Sequence, residues 1–318
     1  MDNNRSHRLT HLREETALND MMTEIKILTK DHYVLSARHF IPARPTGHTI
    51  IINPATGVKQ YFYTHFALYL AEQGFHVYTF DYRGIGGSRH GSLKNFHASI
   101  LDWGEEDFSA VIRYIKQRHP LHTISVVGHS IGGQIIGLSP QAQSIDNIVM
   151  IGSQTPFWKN YHGVTFFKVW QLWHLMIPLL TKRCGYFPAR SFGLFEDLPE
   201  EAAMQWARWG KNRNYMFDEL PHKRENYSSL YQPALVYSFT DDPYAPLKAV
   251  TDLLHHYNNL KIEHRHIDPK NLNLKSIGHF SFFRKSSEKI FWKDVSAWLK
   301  LRGGTKSLTT TVVQSVEN

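Results

Sequence analysis

Cysteine is almost absent from this sequence, in which Cys184 is the only one among 318 residues. A single cysteine excludes an internal disulfide, so the chain shows no adaptation to an oxidising compartment. The first twenty residues are polar and of mixed charge, without the apolar core that a signal peptide requires. Together these absences predict a cytoplasmic protein.

Metal-binding and nucleic-acid-binding motifs are missing as well. The chain has 20 histidines, but no group of them has the sequence spacing of a metal site, so no metal and no other cofactor is predicted. Residues 261–306 contain eleven Lys and Arg against four Asp and Glu, and such a basic surface can attract nucleic acid or anionic lipid. Because no nucleic-acid motif accompanies this charge, a solvated surface is the better interpretation, and no nucleic-acid partner is predicted.

Short apolar runs alternate with helical patterns through much of the chain. The continuous apolar run at 49–53 is typical of a strand that is buried on both faces. Residues 24–29 and 34–40 predict a hairpin at the sheet edge. The other predicted strands are 76–80, 124–127, 148–151, 234–239 and 262–267, and the helices include 60–73, 102–118, 247–256 and 285–300. This order predicts an α/β protein with a mostly parallel, doubly wound sheet.

The alternation stops between residues 153 and 230, where aromatic residues are dense. Residues 164–180 are apolar apart from a narrow polar stripe, and Asp197 with Glu200 resembles the capping box of a following helix. We expect this insertion to form a helical cap over the carboxyl edge of the sheet. The predicted divisions are an N-terminal extension at 1–22, a core at 23–152 and 231–302, the cap at 153–230 and a flexible tail at 303–318. Met21 or Met22 is an alternative start.

The clearest chemical signal is Gly128-His129-Ser130-Ile131-Gly132, which follows a β-branched run and precedes a helical pattern. This is the Gly-x-Ser-x-Gly nucleophile elbow, in which a strained turn between strand and helix exposes the serine hydroxyl. A Cβ atom at either glycine would collide with the neighbouring strand or helix. An ordinary loop with a capping serine is the alternative. The His129 side chain is expected to point away from the hydroxyl and to be structural.

A serine nucleophile needs a base, and the base needs an orienting carboxylate. On this type of fold the acid and then the histidine follow the serine, each after a later strand. Asp241 and Asp242 follow the strand at 234–239, and His279 lies between the last strand and the last helix. We predict Asp242 as the acid, because the proline after it favours an extended backbone with one side-chain direction. Asp241 is predicted to be a turn residue that bonds its own backbone.

The oxyanion of an acyl-transfer intermediate needs two N–H donors. One is the backbone N–H of Ile131, directly after the nucleophile, and the other comes from the loop after the strand at 49–53. Ala55 is the first choice for this second donor and Thr56 the second, since Pro54 has no N–H.

The chain resembles the α/β-hydrolases of the serine type, in the branch that includes serine aminopeptidase-like and monoacylglycerol lipase-like enzymes. More narrowly, it is similar to predicted bacterial α/β-hydrolases of unassigned substrate. The resemblance covers about residues 23–302, and it departs from many members where Asn53-Pro54 replaces His-Gly. The motifs that carry it are Asn53-Pro54-Ala55-Thr56-Gly57-Val58, Asp81-Tyr82-Arg83-Gly84-Ile85-Gly86-Gly87-Ser88, the elbow, Trp206-Ala207-Arg208-Trp209 and Gly278-His279-Phe280. It implies a cofactor-free hydrolase with Ser130, Asp242 and His279 as its triad.

The leading functional prediction is hydrolysis of a small-molecule ester by a carboxylesterase or lipase, with Trp206 and Trp209 contacting the acyl group. Both tryptophans could instead be packing residues of the cap. A peptidase or an acyltransferase could use the same triad. A binding or regulatory protein without catalysis is an alternative from another class, although no triad member is missing. Peripheral membrane contact through 164–180 or the basic last helix is a weaker alternative, and a transmembrane span is excluded by length.

Overall fold

The computed structural model describes residues 21–306. Its strands are β1 (Met22–Leu28), β2 (Val34–Phe40), β3 (His48–Asn53), β4 (His76–Phe80), β5 (Thr123–His129), β6 (Asn147–Ile151), β7 (Tyr186–Phe187), β8 (Leu198–Pro199), β9 (Pro233–Phe239) and β10 (Lys261–Ile267). The predicted N-terminal extension lies almost wholly outside the described residues, as does most of the predicted tail.

Several helices combine α-helical and π-helical turns. The helices are α1 (Thr64–Glu72), α2 (Ile100–Asp102, Trp103–Phe108 and Ser109–Arg118), α3 (Ile131–Gln134), α4 (Gly163–Gln171, Leu172–Met176 and Ile177–Cys184), α5 (Glu200–Lys211), α6 (Arg224–Ser228), α7 (Leu247–Leu254) and α8 (Glu288–Trp292 and Lys293–Lys300). No helix within residues 21–306 combines the length and the apolar content needed to cross a bilayer.

Eight strands form one sheet in the order β1-β2-β4-β3-β5-β6-β9-β10. The hairpin β1–β2 is antiparallel, β2 pairs antiparallel with β4, and every other neighbouring pair is parallel. The predicted α/β class and mostly parallel sheet are therefore confirmed. The order matters for function, because the carboxyl ends of β5, β6 and β9 meet at one edge.

Helices cover both faces of this sheet. In β3, the side chain of Ile51 packs into the core on one face, while Ile50 and Ile52 pack into the core on the other, and all three are fully buried. Alternate residues of a strand point to opposite faces, so burial on both sides requires a continuous apolar run.

The segment 153–230 adds no strand to the eight-stranded sheet. It contributes α4, α5 and α6, together with the short pair β7–β8. The predicted capping box of α5 is wrong, because Pro199 occupies the N-cap position and Asp197 accepts a hydrogen bond from the Arg190 N–H instead.

Residues 303–306 do not form the start of a free tail. The Thr123 N–H donates to the carbonyl of Gly304, and the Lys306 N–H donates to that of Leu121. Lys306 Nζ also lies 2.7 Å from the carboxylate of Asp146. These bonds place the segment alongside the start of β5, which corrects the predicted boundary of the tail.

Candidate active site

Ser130 lies at the turn between β5 and α3 with φ 52° and ψ −116°, a conformation that side-chain-bearing residues rarely adopt. The glycines around it allow this turn. A Cβ atom on Gly132 would lie 2.2 Å from the Asn53 carbonyl oxygen, and one on Gly128 would lie 2.5 Å from the backbone nitrogen of Gly133. The sequence therefore folds locally into the strained elbow that its glycines predict.

Asp242 and His279 form a buried pair on the loops that follow β9 and β10. Asp242 Oδ2 accepts a hydrogen bond from His279 Nδ1 at 2.7 Å. Its other oxygen accepts from the backbone N–H groups of Tyr244 and Ala245 at 2.8 and 3.1 Å. The carboxylate is thereby fixed in direction. Because Nδ1 carries the proton of this bond, Nε2 is the nitrogen that can accept another proton.

Asp241 does not bond its own turn, and that prediction is wrong. Its carboxylate accepts hydrogen bonds from the backbone N–H groups of Ile277 and Gly278, at 2.8 and 3.1 Å. These residues directly precede His279. The two neighbouring aspartates therefore both bond the loop that carries His279, here called the histidine loop. Asp241 bonds the backbone of this loop, and Asp242 bonds the imidazole of His279.

His129 connects this histidine loop to the loop after β3. It is fully buried, and burial lowers its pKa well below the usual range, so the ring is neutral. The nitrogen Nε2 donates to the His279 carbonyl at 2.9 Å, while Nδ1 accepts from the Tyr63 hydroxyl at 2.9 Å. That hydroxyl in turn accepts the Ala55 N–H at 2.8 Å. Sequence reasoning missed Tyr63, because its partners lie far from it in the chain.

This chain of hydrogen bonds engages the Ala55 N–H, the predicted second oxyanion donor. Since the Ala55 N–H already donates to Tyr63, it is not the free donor that the prediction required. The neighbouring Thr56 is also buried, and its hydroxyl has no hydrogen-bond partner among the described residues. Ile131, the first predicted donor, is buried at the start of α3.

Trp206 and Trp209 occupy different environments on α5. Trp209 is completely buried, with its indole N–H donating to Glu219 at 3.0 Å, so it packs within the protein and does not face a substrate. Trp206 is partly buried against Trp173, with ring centroids 4.6 Å apart, and against Phe195 at 5.9 Å. Its indole nitrogen is buried without a hydrogen-bond partner in the described part of the chain.

Phe195 brings Trp206 close to the loop after β3. A Cβ atom on Gly57 would lie 2.6 Å from the Phe195 ring, so the loop and this ring are in direct contact. A series of contacts therefore runs from Gly57 in the loop to Phe195, then to Trp206 and then to Trp173. Trp206 is thus two contacts away from the predicted oxyanion loop.

Gly152 is a second site residue that sequence reasoning missed. It follows β6 with φ 58°, and an added Cβ atom would lie 3.2 Å from Asp242 Oδ2 and from the imidazole of His279. A glycine directly after a buried strand, at the sheet edge that holds the predicted triad, is the sequence signal that could have indicated it.

A groove of about 630 Å³ lies between the 95–99 loop and α5. Met204, Gln205 and Arg208 are among its lining residues, whereas none of the three predicted triad residues lines it. The groove therefore does not identify the acyl pocket.

Comparison with known families matches residues 46–207 to the model described as serine aminopeptidase, S33. This match spans half of the chain and includes the elbow. Comparison with curated proteins gives no match.

Solved structures share the fold at low sequence identity. An esterase from Pyrococcus furiosus has a TM-score of 0.59 and 16% identity, covering 90% of this chain and 93% of its own. A monoacylglycerol lipase from Paleococcus ferrophilus has a TM-score of 0.55 and 16% identity, covering 84% and 99%. A bromoperoxidase from Bacillus anthracis has a TM-score of 0.55 and 15% identity, covering 87% of this chain and 100% of its own. Different activities on one architecture mean that these similarities establish the fold alone.

Proposed function

The chain belongs to the serine aminopeptidase family of hydrolases, and we propose that it cleaves a carboxylic ester through an acyl-enzyme formed on Ser130. The observation that carries the proposal is the buried Asp242–His279 pair, with 2.7 Å between carboxylate oxygen and Nδ1, at the sheet edge that also bears Ser130. A serine in a strained turn and such a pair at the same sheet edge are the parts that nucleophilic catalysis requires, and this combination supports the proposal.

In the proposed reaction, Ser130 Oγ attacks the ester carbonyl while His279 Nε2 takes the hydroxyl proton. His279 then returns this proton to the departing alkoxide, and the acyl group remains on Ser130. Water, deprotonated by the same imidazole, attacks the acyl-enzyme, and His279 returns the proton to Ser130 Oγ as the acid is released. Asp242 holds the tautomer that leaves Nε2 free and stabilises the imidazolium that forms in each half-reaction.

The negative charge on the tetrahedral intermediate requires preorganised donors. The backbone N–H of Ile131 is the first of them, at the start of α3. We assign the second donor to the hydroxyl of Thr56. The Ala55 N–H is engaged by Tyr63, whereas this buried hydroxyl has no partner among residues 21–306. A buried polar group without a partner is costly unless a ligand satisfies it.

The proposed substrate is a small-molecule ester with an apolar acyl group. Support comes from the aromatic surface that Phe195 and Trp206 form next to the loop after β3, with the buried Trp173 packed against Trp206. Such a surface favours an acyl chain, since burial of each CH₂ group is worth about 0.8 kcal/mol. In this arrangement Trp206 is the residue that contacts the acyl group, whereas Trp209 packs in the protein interior and holds α5 in place.

A peptidase is the second candidate, because the matching family model is described as a serine aminopeptidase. Comparing kcat/KM for p-nitrophenyl acyl esters with kcat/KM for aminoacyl p-nitroanilides separates the two. A preference for the anilides, corrected for their lower intrinsic reactivity, would favour the peptidase.

Labelling by a fluorophosphonate probe tests the nucleophile without knowledge of the substrate. We expect stoichiometric labelling of the wild-type chain and none of Ser130→Ala, whose circular dichroism should be unchanged. Turnover of p-nitrophenyl butyrate by this variant should fall by about a millionfold. Undiminished labelling or turnover in the variant would contradict the acyl-enzyme, and an unreactive wild-type chain would favour the non-catalytic binding protein.

A further inference from the structure

Several histidines meet at the sheet edge opposite the candidate active site. His76 begins β4, His39 lies near the end of the antiparallel neighbour β2, and His119 follows the last turn of α2. All three are partly buried. The seven residues of β5 separate this edge from Ser130 by roughly 20 Å, at about 3.3 Å per residue. The proposed hydrolysis does not use this histidine cluster.

The three imidazoles lie close enough to share one ion. Each offers a ring nitrogen, and these three nitrogens all lie within 4.8 Å of one another. His39 Nε2 and His76 Nδ1 are 2.9 Å apart, and the rings of His76 and His119 have centroids 4.5 Å apart. We propose that His39, His76 and His119 bind a divalent transition-metal ion, with Zn²⁺ as the preferred probe.

The distances are compatible with zinc after small side-chain rotations. Zinc binds imidazole nitrogen at about 2.0–2.1 Å, so two nitrogens at a tetrahedral angle lie about 3.3 Å apart. The distance of 2.9 Å between His39 Nε2 and His76 Nδ1 is slightly shorter than this value. The upper limit of 4.8 Å on the distances among the three ligand nitrogens is longer than this value. His119 follows α2 in a non-helical conformation, with φ −132° and ψ 62°.

The chemistry of the donors selects the class of metal. Three imidazoles without a carboxylate suit Zn²⁺, Cu²⁺ or Ni²⁺, whereas Ca²⁺ and Mg²⁺ require oxygen ligands. Three protein ligands leave a fourth position for water. A fourth histidine adjoins the cluster, since the His122 ring stacks on His119 with a centroid distance of 4.5 Å.

Tyr78 orients two of the three ligands. Its hydroxyl is 2.9 Å from His119 Nε2, and its ring is stacked on His39 at a centroid distance of 4.1 Å. Outer contacts of this kind hold the rings of metal-binding histidines in place. One neighbour opposes binding, because the positive charge of Arg118 acts on both His39 and His119. Its guanidinium group lies over the Tyr114 ring, 4.7 Å from the centroid.

Zinc titration of the untagged, chelator-treated full chain tests the proposal. Competition with a chromophoric chelator should show one equivalent of Zn²⁺ per chain, confirmed by elemental analysis. His76→Asn and His119→Gln should each weaken the affinity at least about 100-fold, beyond the 10–100-fold effect of losing an outer contact. Saturating Zn²⁺ should raise the Tm of the wild-type chain by roughly 3–5 °C and that of the variants by much less.

Two further variants make the result specific. His264→Gln is the matched control, because His264 and His266 form a separate pair that shares the Ser238 hydroxyl at 2.8 Å each. This control should retain wild-type stoichiometry and affinity. Arg118→Gln removes the opposing charge and should tighten binding.

The absence of saturable zinc binding in the wild-type chain would overturn the proposal, as would equal affinity in the wild type and in His76→Asn. Both readouts are independent of Ser130, so the outcome is separate from the test of hydrolysis.

Discussion

Asp241 and Asp242 are adjacent in the chain, but their carboxylates bond different parts of the histidine loop. Asp242 holds the imidazole of His279, whereas Asp241 holds the backbone N–H groups before it. An amide in place of Asp242 can donate to Nδ1 and favour the wrong tautomer. An amide in place of Asp241 retains one acceptor for one of the two backbone groups.

We therefore expect Asp242→Asn to lower kcat by about ten-thousandfold, the loss measured for the same substitution in a related triad. Asp241→Asn should cost far less and should change kcat without altering the pH profile. Steady-state kinetics of both variants on one activated ester provide the measurement. A larger loss in Asp241→Asn would reassign the orienting carboxylate.

Thr56 provides a test of the oxyanion site that a backbone donor cannot offer. Thr56→Val preserves the side-chain shape and removes the hydroxyl, and loss of one oxyanion donor typically lowers kcat by about 10²–10³. Thr56→Ser keeps the hydroxyl and should retain most of the rate. Equal kcat values for the valine variant and the wild type would show that the Thr56 hydroxyl does not hold the oxyanion.

Helix α5 presents two tryptophans, three residues apart, to different surroundings. Trp209 is fully buried, so Trp209→Ala should destabilise the chain by about 3–5 kcal/mol and lower activity on all esters alike. Trp206 is the proposed acyl contact. Trp206→Ala should shift the ratio of kcat/KM for decanoate over acetate esters by roughly tenfold, with a smaller change in Tm.

A p-nitrophenyl ester series and thermal unfolding of both variants provide the comparison. If activity of Trp206→Ala falls uniformly across chain lengths and in step with Tm, Trp206 is a packing residue like Trp209.

Across the whole molecule, buried histidines make stability depend on pH. Burial lowers the pKa of His48 to about 4 and that of His256 to about 4, from an ordinary value near 6.5. Below pH 6.5 the unfolded chain therefore binds protons that the folded chain does not. The free energy of unfolding should fall as the pH decreases from 6.5 towards 4, and be unaffected by these groups above 6.5.

His48 is almost fully buried, and its Nε2 lies 2.7 Å from the Ser125 hydroxyl. In His48→Gln the pH slope of the unfolding free energy near pH 5.5 should decrease by up to about 1.4 kcal/mol per pH unit, which corresponds to one proton. Urea unfolding between pH 4 and 8 measures this slope, and exposed His222→Gln is the control. An unchanged slope in His48→Gln would show that His48 does not titrate in this way.

Features that depend on short-range pattern could be predicted from the amino-acid sequence. The Gly-x-Ser-x-Gly turn, the hairpin at the edge and the buried run of β3 all follow from residues that are neighbours in the chain. The apolar stripe of α8 also follows, since Phe291, Val295 and Trp298 recur at helical spacing and are buried. In these segments sterics and burial act within a few residues.

The packing of the fold sets how distant residues meet, and this could not be predicted from the sequence. It engaged the Ala55 N–H with Tyr63, turned Asp241 towards the histidine loop and placed Trp209 in the core. It also brought together His39, His76 and His119, which come from three elements and have no metal-site spacing in the sequence. The physical reason is that hydrogen-bond partners and burial depend on how loops and helices pack across the sheet, which local periodicity does not specify.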